Sequence, residues 1–226
     1  MGDMDNDGDL DGIAGLDGLP HGVLENVLQD TSLIEPILWD MAGELSNSGN
    51  TRALALGDLD GDGMLDVVAA NSNEPNAVYL NAGQMAFESP AEFGDDFDVT
   101  YDIGIADFDN DGDLDLYLAN VGANALYRND GGEDFQDVAD DAGILIDSGG
   151  WLSADITWAD YDGDGWLDLY LANGADRQQQ RDILYAANGD LTFRNATANA
   201  NLPTNALTHM AAAFGDYDGN GAPDLY

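Results

Sequence analysis

The residues best placed to do chemistry in this chain are aspartates set at alternate positions in nine-residue segments of the form D-x-D-x-D-G-x-x-D. Five such segments occur, at 3–11, 58–66, 107–115, 160–168 and 216–224, and their starts are 55, 49, 53 and 56 residues apart. Places 1, 3, 5 and 9 carry Asp3, Asp5, Asp7 and Asp11 in the first copy and Asp58, Asp60, Asp62 and Asp66 in the second. The third has Asp107, Asp109, Asp111 and Asp115, and the fourth has Asp160, Asp162, Asp164 and Asp168. The fifth has Asp216, Asp218, Asn220 and Asp224. Carboxylates held this close in a tight loop repel strongly unless a divalent cation sits among them. Calcium suits the set, because it takes six to eight oxygen ligands in flexible geometry, including short Asp side chains and a bidentate final carboxylate. Place 7 holds Asp9, Met64, Asp113, Trp166 and Ala222. Three of these side chains have no ligand oxygen, so that place is expected to offer its backbone carbonyl. Place 6 is glycine in every copy and place 4 is only Asn or Gly, the residues that tolerate the left-handed backbone of a loop wrapping a cation. Up to five calcium ions are expected, one per loop.

Composition narrows the rest. The 226 residues include 45 Asp and Glu against 5 Lys and Arg, a formal charge of −40. That excludes a surface for nucleic acid or anionic lipid, both of which need clustered cations. With no cysteine, thiol catalysis, disulfides and zinc–thiolate sites are absent. Only His21 and His209 are present, so a histidine-rich transition-metal site is not expected. No stretch reaches the roughly 18 apolar residues of a membrane span, and Met1-Gly2-Asp3 does not begin a secretion signal. Hydrophobic residues make up 44 %, enough for a packed core despite the charge.

The elements that must position the loops are short strands. The twelfth place carries Ala14, Ala69, Leu118 or Leu171 where an EF-hand needs glutamate, and no helix follows. Around the fourth loop the apolar runs are Ile156–Ala159, Leu169–Asn173, Ile183–Ala186 and Leu191–Phe193, a four-stranded meander with the loop joining strands one and two. The third copy repeats it with Ile103–Ala106, Leu116–Asn120, Ala125–Arg128 and Phe135–Val138. The second gives Ala53–Gly57, Val67–Asn71, Ala77–Leu80 and Phe87. One such sheet cannot bury both faces alone, so copies must stack about an axis; four strands per period near fifty predict a β-propeller. Small residues on first strands, such as Gly104 and Ala211–Ala213, suit the crowded centre. Tyr79, Tyr117, Tyr127, Tyr170, Tyr185, Phe135 and Phe193 are expected to pack between blades. Three complete blades should lie between two partial ones, because Met1-Gly2 alone precede the first loop and the chain stops at Tyr226. The stretch from Ile13 to Arg52 matches the blade pattern weakly. The whole of 1–226 is expected to be one incomplete propeller that continues into further blades.

The small-residue strand, the aspartate loop, L-D-L-Y-L-A-N and N-x-L-Y-x-N together resemble the FG-GAP or VCBS repeat, the blade of integrin α-subunit propellers and of many secreted bacterial propellers. The resemblance covers almost the whole chain. It implies that Asp160, Asp162, Asp164 and Asp168, with the carbonyl of Trp166, bind calcium, and that the matching places of the other copies do the same. Asn220 and Pro223 depart from the pattern and imply weaker binding in the fifth loop. The resemblance also implies an extracellular, cell-surface or periplasmic module for adhesion, with a protein or glycan ligand whose contacts the sequence leaves unnamed. Gly174–Arg181, holding two of the five cations, is the longest polar insertion and an exposed hairpin. Two alternatives stay open: part of a polysaccharide lyase-like enzyme, or a spacer repeat without a ligand. Neither histidine lies in a recognisable catalytic constellation, so the chain is expected not to be an enzyme.

Overall fold

A computed structural model describes residues 1–6, 10–14, 21–26, 39–45, 50–83, 86–94, 98–131, 135–144, 152–174, 181–200, 202 and 209–226. It is all-β. The first sheet has β1 (Gly12–Ala14), β2 (His21–Asn26) and β3 (Trp39–Leu45). Three four-stranded sheets follow. They are β4 (Thr51–Gly57), β5 (Asp66–Asn71), β6 (Asn76–Tyr79) and β7 (Ala91–Phe93); β8 (Thr100–Ala106), β9 (Asp115–Asn120), β10 (Ala125–Asn129) and β11 (Phe135–Asp137); and β12 (Ser153–Ala159), β13 (Asp168–Asn173), β14 (Ile183–Ala187) and β15 (Phe193–Asn195). β16 (Phe214–Gly215) pairs with β17 (Asp224–Leu225). Every sheet is an antiparallel meander in sequence order.

Successive first strands pack on one another, β4 on β8, β8 on β12 and β12 on β16, so the sheets are blades about a common axis. Among the described residues no strand of the last sheet pairs with one of the first, and the ring is open. At the crowded centre, a Cβ added to Gly104 would stand 2.7 Å from both Ile156 Cγ2 and Trp158 Nε1, which is why β8 carries glycine there.

The second strands β5, β9 and β13 are buried at all six positions. Their period-two alternation divides each strand between two neighbours. Val67 and Ala69 pack with Met4 and Val23 of the first blade, whereas Val68 and Ala70 pack with Leu116 and Leu118 of the third. Tyr117 then meets Leu169 and Leu171, while Tyr170 and Ala172 pack toward Phe214. Strands buried on both faces need a continuous apolar run, as the sequence has. The seven aromatics expected between blades all lie in these clusters.

Several boundaries differ from the sequence reading. The stretch after Ile13 supplies β2 and β3, so the first copy is a three-stranded blade whose first strand is reduced to a bridge between Gly2 and Asp11. In the second blade the fourth strand is Ala91–Phe93, and Phe87 only bridges Asn81. In the fourth blade it starts at Phe193, because Leu191 is left-handed at φ 67° and belongs to the turn. Ala211–Ala213 lie before β16 and are not in it. Most of the Gly174–Arg181 insertion, at 175–180, lies outside the described residues.

Candidate metal centres between the first and second strands

Each aspartate loop connects the first strand of its blade to the second, and the ladder pairs Gly57 with Asp66, Ala106 with Asp115, Ala159 with Asp168 and Gly215 with Asp224. Place 9 is therefore the first residue of the second strand. Between these fixed ends the chain turns through left-handed residues at places 4 and 6, for example Asn110 at φ 58° and Gly112 at φ 102°. A Cβ on Gly112 would meet nothing within 4 Å, so backbone conformation and not space demands glycine.

The loop is built by its own carboxylates. At place 1, Asp58 Oδ2 accepts the Gly63 N–H at 2.9 Å, and Asp107, Asp160 and Asp216 accept the matching glycine N–H at 3.1, 2.9 and 2.9 Å. At place 5, Asp62, Asp111, Asp164 and Asn220 accept the place-7 N–H at 2.8 to 2.9 Å. At place 3, Asp60, Asp109 and Asp218 accept the place-5 N–H. The second place-1 oxygen also accepts backbone N–H groups in three copies: Asp107 Oδ1 from Asp111, Asp160 Oδ1 from Gly163 and Asp164, and Asp216 Oδ1 from Asn220. One carboxylate oxygen from each of three residues meets within 4.8 Å in every copy: Asp3, Asp5 and Asp11; Asp58, Asp60 and Asp62; Asp107, Asp109 and Asp115; Asp160, Asp162 and Asp164; Asp216, Asp218 and Asp224. Asp7 and Asp9 lie outside the described residues. Asp66, Asp111, Asp168 and Asn220 are in the loops but not in those triples.

At place 9 both carboxylate oxygens accept backbone N–H groups. Asp66 Oδ2 accepts the Leu59 N–H at 2.7 Å and its Oδ1 the Asn81 N–H at 2.8 Å; Asp115 does the same for Phe108 and Asn129, and Asp168 for Tyr161 and Ala187. Both oxygens already bracket the loop to the end of the third strand. Each retains a lone pair, so place 9 can join a cation through one oxygen while it holds the backbone. At place 7 the side chains of Met64, Asp113 and Trp166 lie beside Gly83, Gly131 and Gly189 of the third turn. Ala222 carries no ligand atom.

The fit to a hard dication is tested at the second loop. Asp58 Oδ1 is buried and accepts no hydrogen bond, although Oδ2 of the same carboxylate is paired. A buried anionic oxygen without a donor is costly unless a cation faces it. The all-oxygen donor set, without sulfur or imidazole, suits calcium or magnesium and not zinc or copper. Electrostatics agree. Burial pushes Asp66 and Asp168 up to about 6 and Asp115 up to about 7, opposed by their backbone N–H partners and increased by neighbouring loop carboxylates. Among the described cations only Arg194 approaches a loop oxygen within ion-pair distance, at 3.5 Å from Asp162.

Two arrangements escaped the sequence reading. His209 Nδ1 and the Tyr170 hydroxyl both meet Asp182 Oδ2, beside a cavity of about 230 Å³ also lined by Leu202, Ala212 and Leu225. The signal was present, since Asp182 stands where the other blades have Asn76 and Asn124. Asp102, on β8, accepts the Ile156 N–H and lies beside Asp155, which accepts the Ala212 N–H. Burial first, then Asp155, raises Asp102 to about 6. His21 lies in β2.

The FG-GAP-like repeat matches three overlapping spans, residues 58–118, 107–171 and 160–226. The chain is similar to cartilage acidic protein 1 of Homo sapiens, 29% identical over 153 residues, which are 61% of this chain and 22% of that protein. The Xenopus tropicalis protein of the same name is 28% identical over 151 residues, 61% of this chain and 23% of that one. The chain thus spans less than a quarter of the length of these curated relatives. A solved structure, described as the structural basis of specific recognition of non-reducing terminal N-acetylglucosamine by an Agrocybe aegerita lectin, aligns with TM-score 0.57 and 21% identity. That alignment covers 96% of this chain and 60% of the lectin chain, and it shows a shared fold.

Proposed function

We propose, from the premise that this chain belongs to the FG-GAP-like repeat family, that it is a calcium-stabilised propeller module which binds a protein or glycan outside the cell. The observation that carries the metal reading is Asp58 Oδ1, a buried carboxylate oxygen with no proton donor inside a loop where three carboxylates converge. Calcium, when bound, supplies the positive charge that offsets this convergence. Asp58, Asp60 and Asp62, Asp107, Asp109 and Asp115, Asp160, Asp162 and Asp164, and the matching first and fifth triples would hold it. The place-1 and place-5 carboxylates keep the loop backbone folded around the site, and place 9 fixes it to the blade. Five divalent ions would reduce the formal charge from −40 to about −30. A dication that binds the folded chain only stabilises it by mass action, by about 2.7 kcal/mol per loop at a hundred times Kd.

The extracellular placement is supported by loops that expose most of their place-3 and place-5 carboxylates, which suits the millimolar calcium range of extracellular modules. Adhesion or glycan binding is supported by the family and by the shared fold with a lectin. The test is calorimetric titration of chelator-stripped chain with calcium, followed by thermal melting and glycan-array binding with and without the metal. Uptake near five equivalents, a melting point raised by 10 °C or more (on the order expected for a few kcal/mol) and calcium-dependent array signal are expected. Uptake below one equivalent would overturn the metal reading, and an array silent in calcium would overturn the glycan reading.

A second reading, a carbohydrate-active enzyme, is favoured by the Tyr170, Asp182 and His209 arrangement, in which a carboxylate orients an imidazole beside a cavity. Release of unsaturated product from an acidic polysaccharide, abolished by His209→Ala, would establish it. No release from a panel of such polymers would remove it.

A further inference from the structure

The aspartate loops of neighbouring blades are joined by one side chain. Asn81, 2 % exposed, follows the third strand of the second blade and donates its N–H groups to two loops. Its backbone N–H donates to Asp66 Oδ1 at 2.8 Å, and its Oδ1 accepts the Gly83 N–H at 3.0 Å. Its Nδ2 donates to Leu65 O of its own loop at 3.1 Å and to Met4 O of the preceding blade's loop at 2.8 Å. Met4 is held at its other end, where its N–H donates to Asp11 Oδ2 at 2.8 Å. Asn129 repeats the pattern one blade later. It donates through N–H to Asp115 Oδ1 at 2.9 Å, and through Nδ2 to Leu114 O at 3.1 Å and to Leu59 O at 2.8 Å. Leu59 N–H is bound to Asp66 Oδ2 at 2.7 Å. An unbroken line of bonds therefore runs from Asp11 through Met4 and Asn81 to Asp66, and from Asp66 through Leu59 and Asn129 to Asp115.

The line stops at the fourth blade. There Ala187 occupies the position of Asn81 and Asn129. Its N–H still donates to Asp168 Oδ1 at 2.9 Å, but a methyl group cannot reach the Phe108 carbonyl of the third loop. The third and fourth loops lack that buried bridge and meet only at their exposed tips, where Asn110 Nδ2 donates to Gly165 O at 3.4 Å.

We infer that Asn81 and Asn129 are positioning residues that couple cation binding among the first three loops, whereas the fourth loop, which meets the third only through the long, exposed Asn110–Gly165 bond, is coupled to it weakly. This rests on the calcium reading above. The physical basis is that each place-2 peptide is gripped from both ends. Ordering a loop fixes its place-9 Asp, which fixes the place-2 peptide, which fixes the next blade's Asn and the Asp bonded to its N–H. A loop that fills first thus removes part of the ordering cost of its neighbour, the condition for positive cooperativity.

Trp166, at place 7 of the fourth loop, is a natural sensitiser for terbium luminescence and reports that loop's filling. The experiment compares the wild-type chain with Ala187→Asn, each with and without the third loop disabled by Asp107→Asn/Asp109→Asn. In the wild type, disabling the third loop should leave the Trp166-sensitised terbium midpoint within about twofold. In Ala187→Asn it should raise that midpoint about fivefold or more, the lower range of allosteric coupling. In parallel, Asn129→Ala should flatten the calcium isotherm of the otherwise native chain without changing the total equivalents, an arm that decides the matter if Ala187→Asn does not fold. An equal midpoint shift in wild type and Ala187→Asn, no shift in either, or an unchanged isotherm slope in Asn129→Ala would overturn the coupling. Absence of calcium or terbium uptake by the wild type would instead overturn the metal reading on which it stands.

Discussion

The two ends of the same blades obey different rules. At one end the first and second strands are joined by the aspartate loop, and the residues at places 1, 3, 6 and 9 are the same in all five copies. At the other end, the residue that opens the third strand reaches the next blade, and here the copies vary. Asn76 Nδ2 donates to Thr100 Oγ1 at 3.2 Å and Asn124 Nδ2 to Ser153 Oγ at 2.8 Å, but in the fourth blade Asp182 meets His209. The backbone role is kept: Asn76, Asn124 and Asp182 each accept the N–H of the residue ending the second strand, at 2.7 to 2.9 Å. Tyr117 accepts from Asn124 Nδ2, whereas Tyr170 donates to Asp182. A latch between two side chains works with any matched donor and acceptor, so its chemistry can drift. A loop that must set a left-handed turn, bracket two strands and converge three carboxylates has one solution, which is why it repeats.

The same substitution made at both ends breaks or confirms this contrast. Asp115→Asn turns one oxygen of a buried bracket into an amino group facing the Phe108 or Asn129 N–H, and removes a converging charge from the third triple. A loss of about 2–3 kcal/mol is expected in calcium, the cost of a buried unpaired donor. Asp182→Asn restores what the second and third blades have, with Oδ1 on the Asn173 N–H and Nδ2 toward Tyr170, and should cost about 1 kcal/mol or less. Urea unfolding midpoints at constant m-value measure both. Equal losses would show that the latch is as constrained as the loop.

Acidity sharpens the contrast next. Asp66, Asp115 and Asp168 sit at about 6, 7 and 6 in the metal-free fold against 3.8 for the ordinary side chain. The folded chain binds more protons than the unfolded one between those values, so stability is present at low pH and falls as pH rises through about 6 to 7. Chelated protein should therefore melt several degrees higher at pH 5.5 than at pH 8. Calcium should reverse the order, because it binds the deprotonated carboxylates. Melting curves at the two pH values, with chelator and with calcium, read both signs. A chelated chain that melts higher at pH 8 would show that the place-9 carboxylates are not the groups that titrate.

The loop end was legible in the sequence because its constraints are local: alternate aspartates, glycine at place 6 and a fixed spacing to the next strand. The second strands were legible for a related reason, since burial on both faces writes an uninterrupted apolar run such as Leu169–Ala172. What stayed hidden depends on partners far along the chain. Asn129 closes the N-x-L-Y-x-N motif, but its amide reaches Leu59 O 70 positions away, and Asp182 meets His209 27 positions on. β2 and β3 were missed because the first blade departs from the repeat there, leaving no period to extend. The bracketing role of place 9 stayed hidden because the N–H groups on its oxygens belong to place 2 and to the third strand's end.

The smallest effect belongs to the latch itself. Asp182→Asn/His209→Ser converts the junction after the fourth blade into the one after the third, with an amide donating to a hydroxyl. If the latch is a matched pair, the double variant should lie within about 0.5 kcal/mol of wild type, while His209→Ser alone loses more by leaving the nearly buried Asp182 carboxylate without its imidazole. A double-mutant cycle measures the difference as a coupling energy, and a value near zero would mean that His209 stands beside Asp182 without supporting it. A double variant worse than both singles together would mean that the junction is specified as tightly as the loop. The drift from Asn and Ser to Asp and His would then mark a chemical role at the cavity beside Tyr170, and the latch would be incidental to it.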